Sequence, residues 1–170
     1  MNPPQPSEYP AYCKPYIATV SADVWAEFGQ QKITLSAFIS EIPKEKENYA
    51  YASEKWTVKE VIGHLLDTER ILAYRALRFA RNDQQNLAGF EENDYVKHSN
   101  YSGRSLESLA EEFVAIRTSN LYLFSQFTEQ EWSRSGQANQ NFVSVKALLF
   151  ILIGHINHHQ RILQERYLLS

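Results

Sequence analysis

Four long stretches of this sequence repeat apolar residues at intervals of three and four positions, which is the spacing of one face of an α-helix. They cover about residues 21–42, 57–81, 105–127 and 144–162. Pro43 ends the first stretch, and the capping box Thr57-x-x-Glu60 opens the second. A second capping box, Thr128-x-x-Glu131, indicates a short helical turn before the fourth. Because the alternation typical of strands is nearly absent, the sequence predicts an all-α fold, specifically a four-helix bundle.

The connections between these helices add to this prediction. The connection at residues 82–104 is long, whereas simple up-down bundles use short links, so we expect it to cross over between parallel neighbouring helices. Because loops of this length often cover functional sites, we also expect a pocket beneath residues 87–101. Five of the six prolines fall in the first fifteen residues, which predicts an extended N-terminal arm over residues 1–16 and a single domain over residues 17–170. The arm either frays or packs on the bundle through its tyrosines, Tyr9, Tyr12 and Tyr16.

Charge and composition narrow the classes of partner. A net charge of −3 offers no general electrostatic attraction for nucleic acid. The only cysteine, Cys13, has no partner for an intramolecular disulfide, which is typical of a reducing compartment. No apolar run approaches the ~20 residues that span a bilayer, and the chain does not open on a signal-peptide pattern. We therefore expect a cytoplasmic protein whose partners include neither nucleic acid nor a membrane.

Three of the five histidines lie inside apolar helical patterns. His155 and His159 are four residues apart, so they project from one face of the fourth predicted helix, and His64 lies in the second. Three imidazoles brought together would form a metal site with open coordination positions. A glycine precedes both His64 and His155, and because Gly63 and Gly154 are costly inside helices, they indicate that the two helices approach closely at one level.

Other polar residues near these positions have competing interpretations. Any single core histidine is more often hydrogen-bonded than bound to a metal. His158 is expected at a helix interface or in solvent, and His98 on the surface of the long connection. Gln31 and Asn120 interrupt the apolar stripes of the first and third predicted helices. They either join the histidines in one internal polar layer or form an ordinary polar pair in the core.

Most of the arginines in the second and third predicted helices are expected on a solvated face. Four of them, Arg70, Arg75, Arg78 and Arg81, belong to the second helix. Arg117 lies on the third helix, and one or two arginines of this whole set could reach an anionic substrate. Asp67, nearly one turn after His64, is a candidate for orienting that ring. The carboxylates of the long connection, Glu91, Glu92 and Asp94, have no special role unless this segment folds over the metal.

The sequence from about residue 50 to the end resembles the DinB/YfiT-like superfamily of metal-binding four-helix bundles, and specifically its DinB-like branch. The segments KWTVKEVIGHLLDTERILAYRALRFAR and SVKALLFILIGHINHHQRILQERY carry the resemblance most strongly. It implies an up-down-down-up bundle, a divalent metal held by His64, His155 and His159, and a homodimer. Zinc or nickel is typical of the family, and because imidazole ligands also suit iron, that metal stays possible.

The function implied by the resemblance is that of a metal-dependent enzyme acting on a small-molecule substrate. Relatives include S-transferases that use a thiol cofactor and proteins described as metal-dependent hydrolases. Because the sequence shows no clear general base, thiol transfer is slightly favoured over hydrolysis. One alternative is a non-catalytic, metal-stabilised bundle that serves as a binding or dimerisation module, and another is a metal-free bundle whose histidines only form hydrogen bonds.

Overall fold

The computed structural model describes residues 1–169, and most of them are helical. The helices are α1 Lys14–Ile17, α2 Val24–Ser40, α3 Val58–Ala80, α4 Glu92–Lys97, α5 Leu106–Ser125, α6 Glu129–Trp132 and α7 Val145–Ile162. Short 3-10 turns occupy Pro6–Glu8, Ala11–Cys13, Lys44–Lys46 and Tyr101–Gly103, and a π-helical turn, Leu163–Leu168, continues α7. The four long helices, α2, α3, α5 and α7, form the bundle, so the predicted all-α four-helix class is confirmed.

Local sequence signals explain where these helices begin. Each long helix follows a residue whose side-chain oxygen accepts a hydrogen bond from a backbone N–H of the first turn: Asp23, Thr57, Ser105 and Ser144. Both predicted capping boxes form, and the one from Thr128 to Glu131 starts the short helix α6. Within residues 1–169, no helix combines the length and the apolar composition that crossing a membrane requires.

Contacts along the helices give their directions. At the start of α3, Lys59 Nζ lies 3.4 Å from the carbonyl oxygen of Ser102, just before α5 begins. Further along the same two helices, Arg70 pairs with Glu112. Helices α3 and α5 are therefore parallel neighbours, and residues 81–105 run back along the bundle to connect them. This connection contains α4, so it is less loop-like than its composition suggests.

The other two helices run in the opposite direction. Phe28, near the start of α2, packs edge-to-face against Phe124, near the end of α5, with ring centroids 5.5 Å apart. Tyr167, beyond the end of α7, donates a hydrogen bond to the carbonyl oxygen of Trp56, just before α3. The four long helices thus run up, down, down and up in chain order, and α3 packs between α5 and α7.

A buried polar layer divides the apolar core into two clusters. The charge pattern predicts Arg117 on a solvated face, but its side chain is fully buried. Its Nε and Nη2 donate to the two carboxylate oxygens of Glu69 at 2.7 and 2.9 Å, and its Nη1 donates to Gln31 Oε1 at 2.6 Å. Asn120 donates to the same carboxylate at 2.9 Å. Gln31 therefore binds Arg117 and Asn120 binds Glu69, so both amides complete this ion pair instead of joining a layer of histidines.

A two-stranded hairpin interrupts the helical chain and is absent from the sequence-based prediction. Strands β1, Ser135–Ala138, and β2, Asn141–Ser144, pair antiparallel, and the turn residues Asn139 and Gln140 have positive φ angles of 50° and 61°. Such angles are typical of a type I′ hairpin turn. The backbone N–H of Leu87 donates to the carbonyl oxygen of Gln137 in β1, and its carbonyl oxygen accepts from the N–H of Asn139 in the turn, each at 2.9 Å. The hairpin therefore anchors the connection between α3 and α5.

The N-terminal segment, predicted as an extended arm, instead forms helical turns and packs on α7. A Cβ atom added at Gly154 would lie 2.1 Å from the carbonyl oxygen of Tyr16, so only glycine admits the N-terminal backbone here. At Gly63 a Cβ atom would lie 2.2 Å from the ring of Tyr101, which belongs to the long connection. Helices α3 and α7 do approach each other at the predicted level, since His64 and His155 are in contact. The glycines do not mediate this approach, because each one faces a segment outside the four long helices.

Candidate metal centre

Three histidines converge between α3 and α7. His64, His155 and His159 each place one ring nitrogen so that the three atoms lie within 4.8 Å of one another. The Nε2 atoms of His64 and His155 are 3.0 Å apart, and both of these side chains are 7% exposed. The structure thus brings together the three residues that the sequence pattern singles out, although 91 positions separate His64 from His155.

Burial keeps these imidazoles neutral. Desolvation lowers the pKa of His64 to about 4 and that of His159 to about 3, and it holds the pKa of His155 well below its usual range. Repulsion between the rings lowers the pKa of His155 and His159 further, because charging one ring disfavours charging its neighbour. At neutral pH each ring therefore has a nitrogen lone pair available, which is the form of histidine that binds metals.

A polar side chain beside the histidines lacks a partner. Thr68 follows His64 by one turn of α3 and lies on the same face. Its side-chain oxygen is buried, and among residues 1–169 no hydrogen-bond partner meets it. Leaving a buried hydroxyl unsatisfied costs about 1–3 kcal/mol, and such groups are rare away from functional sites. Thr68 also lines the adjoining cavity, so its unpartnered hydroxyl lies close to the space that a ligand would occupy.

Aromatic side chains from outside the bundle enclose the histidines. The ring of Trp56 packs 4.8 Å from that of His64, between centroids. Tyr16 contacts His155 and His158 edge-on at 5.7 and 5.2 Å. His158 is half-buried, so it lies at the interface with the N-terminal segment, one of the two positions expected for it. The sequence left open whether the N-terminal segment frays or packs on the bundle. The tyrosines of this proline-rich segment were the only indication that Tyr16 would pack beside the histidines.

A cavity of about 340 Å³ opens beside the three histidines, which is within the size range of small-molecule sites. Along α3 its wall is formed by His64, Thr68, Leu72 and Arg75, whose spacings of four, four and three place them on one helix face. The facing wall belongs to α7. The N-terminal segment, the hairpin and the connection before α5 close the remaining sides. The pocket that was expected beneath residues 87–101 is therefore present, with Phe90 and Glu92 in its lining.

Two residues near the centre have roles other than those predicted. Asp67, the candidate for orienting His64, instead accepts a hydrogen bond from the hydroxyl of Tyr101, which together with burial raises the pKa of that tyrosine. Gln31 connects the polar layer to α7, because its Nε2 donates to the carbonyl oxygen of Ile153 at 3.0 Å and to Asn157 Oδ1 at 2.8 Å. These acceptors flank His155, so Gln31 positions the helix segment that carries this histidine.

His98, by contrast, lies where its sequence context places it. Its side chain is exposed, and its Nδ1 lies 2.8 Å from the carbonyl oxygen of Asp94 in the same short helix. That contact is local, since the two residues are four positions apart. His98 therefore takes no part in the centre formed by the other histidines.

Comparison with known proteins agrees with this architecture. Residues 28–163 match the sequence profile of the DinB superfamily. YfiT from Bacillus subtilis, described as "a probable metal-dependent hydrolase with an unusual four-helix bundle topology", superposes with a TM-score of 0.74. The match covers 95% of this chain and 89% of YfiT at 14% sequence identity, so it shows a shared fold. A comparison with curated proteins returns no match. Because the profile match extends over most of its length, the chain belongs to the DinB superfamily.

Proposed function

We propose that the protein is a metal-dependent enzyme for a small organic substrate and that His64, His155 and His159 hold one divalent ion. The observation that carries the proposal is the convergence of three neutral imidazoles, two buried and one half-buried, at the wall of a 340 Å³ cavity. A purely structural site is normally closed by a fourth protein ligand, whereas a catalytic site keeps a position open towards the substrate. The open cavity therefore favours an enzyme over a metal-stabilised binding or dimerisation module.

The residues present fit such an ion. Neutral imidazole nitrogen suits zinc, nickel and iron, and zinc or nickel is the choice proposed here. The unpartnered hydroxyl of Thr68 is one turn from His64, where it can hydrogen-bond to a substrate or nucleophile beside the histidines. When bound, the ion would supply Lewis-acid chemistry, lowering the pKa of a water or thiol nucleophile.

The surrounding residues favour hydrolysis as the reaction. Trp56 and Tyr16 shield the histidines from bulk water. His158 lines the cavity with its ring 5.1 Å from that of His159, between centroids, so a group that can accept a hydrogen bond from a nucleophile is present beside the histidines. The sequence-based preference for thiol transfer depended on the lack of such a group. The description of YfiT as a hydrolase supports the same choice, and S-transfer with a thiol cofactor is the alternative.

Elemental analysis of untagged protein tests the metal site. We expect about one zinc or nickel per chain in the wild type and a loss to background in His159→Ala, because the remaining two imidazoles hold a divalent ion weakly. His158→Ala is the matched control, since it removes a neighbouring imidazole outside the three-residue set, and it should retain the metal. Absence of stoichiometric metal in the wild type after dialysis against zinc or nickel contradicts the proposal.

Activity measurements then separate the reaction classes. The metal-loaded protein is offered a panel of esters, amides and lactones, and in parallel a panel of electrophiles with small thiols. Turnover in the first panel that is lost on chelation supports hydrolysis, and turnover only in the second supports S-transfer. Stoichiometric metal with no turnover in either panel favours the non-catalytic module. The homodimer and the cytoplasmic location remain predictions.

Thr68→Val should raise the free energy of unfolding of the metal-free protein by about 1 kcal/mol, because it replaces an unsatisfied buried hydroxyl with a methyl group of similar volume. Turnover of any substrate identified above should fall in the same variant. Urea unfolding checks the stability change, with Thr34→Val as the control: Thr34 is exposed on α2, so its change should stay within about 0.5 kcal/mol. A destabilised Thr68→Val would mean that this hydroxyl has a partner in solution.

A further inference from the structure

Arg75 differs from the other arginines of α3. Arg70, Arg78 and Arg81 each form an ion pair, with Glu112, Asp83 and Glu131 respectively. In the part of the chain that the structure describes, no carboxylate lies within ion-pair distance of the Arg75 guanidinium. Its Nη2 donates a hydrogen bond of 2.9 Å to the carbonyl oxygen of Ala88. A guanidinium has five N–H donors, so this contact leaves most of its capacity available.

The guanidinium of Arg75 belongs to the cavity. Its side chain is half-buried in the lining, 5.9 Å from the ring centroid of Phe90, and burial lowers its pKa. Tyr12, from the N-terminal segment, contributes a neighbouring phenol. A half-buried cation without a counter-charge is unfavourable, and an anionic ligand would relieve this cost.

The cavity between Arg75 and the histidines is long and apolar in the middle. Arg75 follows His64 by eleven residues, which corresponds to about 16 Å along the axis of α3. Leu72 lines the intervening part of this helix. On the antiparallel helix α7, Ile151 and Leu148 line the opposite wall. A ligand that spans the cavity therefore needs an apolar middle section and a polar group at each end.

The charged residues near Arg75 determine which type of anion this end of the cavity would bind. Arg75 is a single cation, and the exposed carboxylate of Glu92 also lines the cavity. Glu92 repels a second negative charge, so a monoanion is favoured over a phosphate dianion. The planar guanidinium also matches the geometry of a carboxylate.

We propose that Arg75 is a specificity-determining residue that anchors the carboxylate of an elongated aliphatic substrate, whose reactive end lies at the three histidines. The position of the reactive end rests on the proposed function. Binding of the carboxylate at Arg75 does not require a metal, so the two proposals are tested separately.

Calorimetric binding of octanoate and of its neutral isostere octanamide tests the anchor on chelator-treated full-length protein at pH 7.5. We expect the wild type to bind octanoate about tenfold more tightly than octanamide, because the charged hydrogen bonds are made only by octanoate. Arg75→Gln should remove this preference. Arg70→Gln is the matched control: Arg70 is exposed on the same helix and pairs with Glu112, so this variant should keep the preference.

Ile151→Trp locates the binding and serves as a second variant if Arg75→Gln does not fold. The indole would fill the middle of the cavity, so binding of both ligands should be lost. Equal binding of the two ligands by the wild type overturns the anchor, and so does a preference that persists in Arg75→Gln or in Ile151→Trp. Failure of both ligands to bind the wild type at millimolar concentration also overturns it. None of these results depends on whether the histidines hold a metal.

Discussion

Between pH 7 and pH 5 the free energy of unfolding of the metal-free protein is expected to fall by at least about 4 kcal/mol, about 2 kcal/mol each for His64 and His159, and His155 adds to the loss in the same direction. Burial lowers the pKa of His64 to about 4 and that of His159 to about 3, and it lowers that of His155 strongly. In the unfolded chain these imidazoles titrate near pH 6.5. Below that pH the unfolded state binds more protons than the folded state, so protonation favours unfolding.

The sign and range of this effect follow from the same pKa values. The stability is fully present above pH 6.5 and is lost progressively as the pH falls towards 3 to 4, where the folded protein also becomes protonated. The loss between pH 7 and pH 5 is comparable to the whole stability of many domains, so acid unfolding should begin within this range. His158, whose pKa burial also lowers, adds to the effect in the same direction.

Urea unfolding at pH 7, 6 and 5 in the presence of a chelator measures the pH dependence. His64→Gln should reduce the loss by about 2 kcal/mol, since it removes one of the titrating rings. His98→Gln is the control, because His98 is exposed in the connection between α3 and α5 and lies outside the cluster. A stability that stays constant between pH 7 and pH 5 would contradict the burial of neutral histidines.

Arg117→Met is expected to destabilise the protein by about 3–5 kcal/mol. The variant removes both hydrogen bonds to Glu69 and leaves that carboxylate, which is 1% exposed, without its counter-charge. It also removes the guanidinium that stacks 4.3 Å from the ring centroid of Phe28. Chemical denaturation of the purified variant gives the change directly.

Two further variants identify the cause of this loss. Combining Arg117→Met with Glu69→Leu should recover part of the stability, because an apolar pair leaves no buried charge uncompensated. Recovery is incomplete because Gln31 and Asn120 each lose a hydrogen-bond partner. Arg70→Met removes an ion pair whose arginine is 48% exposed, and its cost should be below about 1 kcal/mol. If the double variant is as unstable as Arg117→Met alone, the buried charge of Glu69 does not account for the loss.

Features that depend on neighbouring residues could be predicted from the sequence. The capping boxes at Thr57 and Thr128 and the stop at Pro43 involve residues within one turn of each other, and the helices begin and end close to these positions. The shared face of His155 and His159 follows from helix geometry alone. Placing His64 beside them required one further assumption, that polar residues in apolar helix faces meet inside the bundle, and the structure brings the three rings together.

Features that depend on distant residues could not be predicted in this way. The local sequence around Arg117 does not distinguish it from a surface arginine. Its burial is possible only because of its bidentate contact with Glu69, 48 positions away. The hairpin strands have four residues each, too few for a clear alternation. The glycines before His64 and His155 correctly indicated close approach, but nothing local specifies that Tyr101 and Tyr16 are the groups that approach.

By itself the sequence determined the four helices, the bundle class and the three histidines, because helix periodicity and capping act over a few residues. Only the tertiary structure decided how the cavity is enclosed. The N-terminal segment, the hairpin and the connection before α5 meet over the histidines through contacts between residues far apart in the chain. Only that arrangement places Arg75 in the lining of the cavity with no carboxylate partner among residues 1–169. The pairing of a charged side chain depends on which segments fold around it.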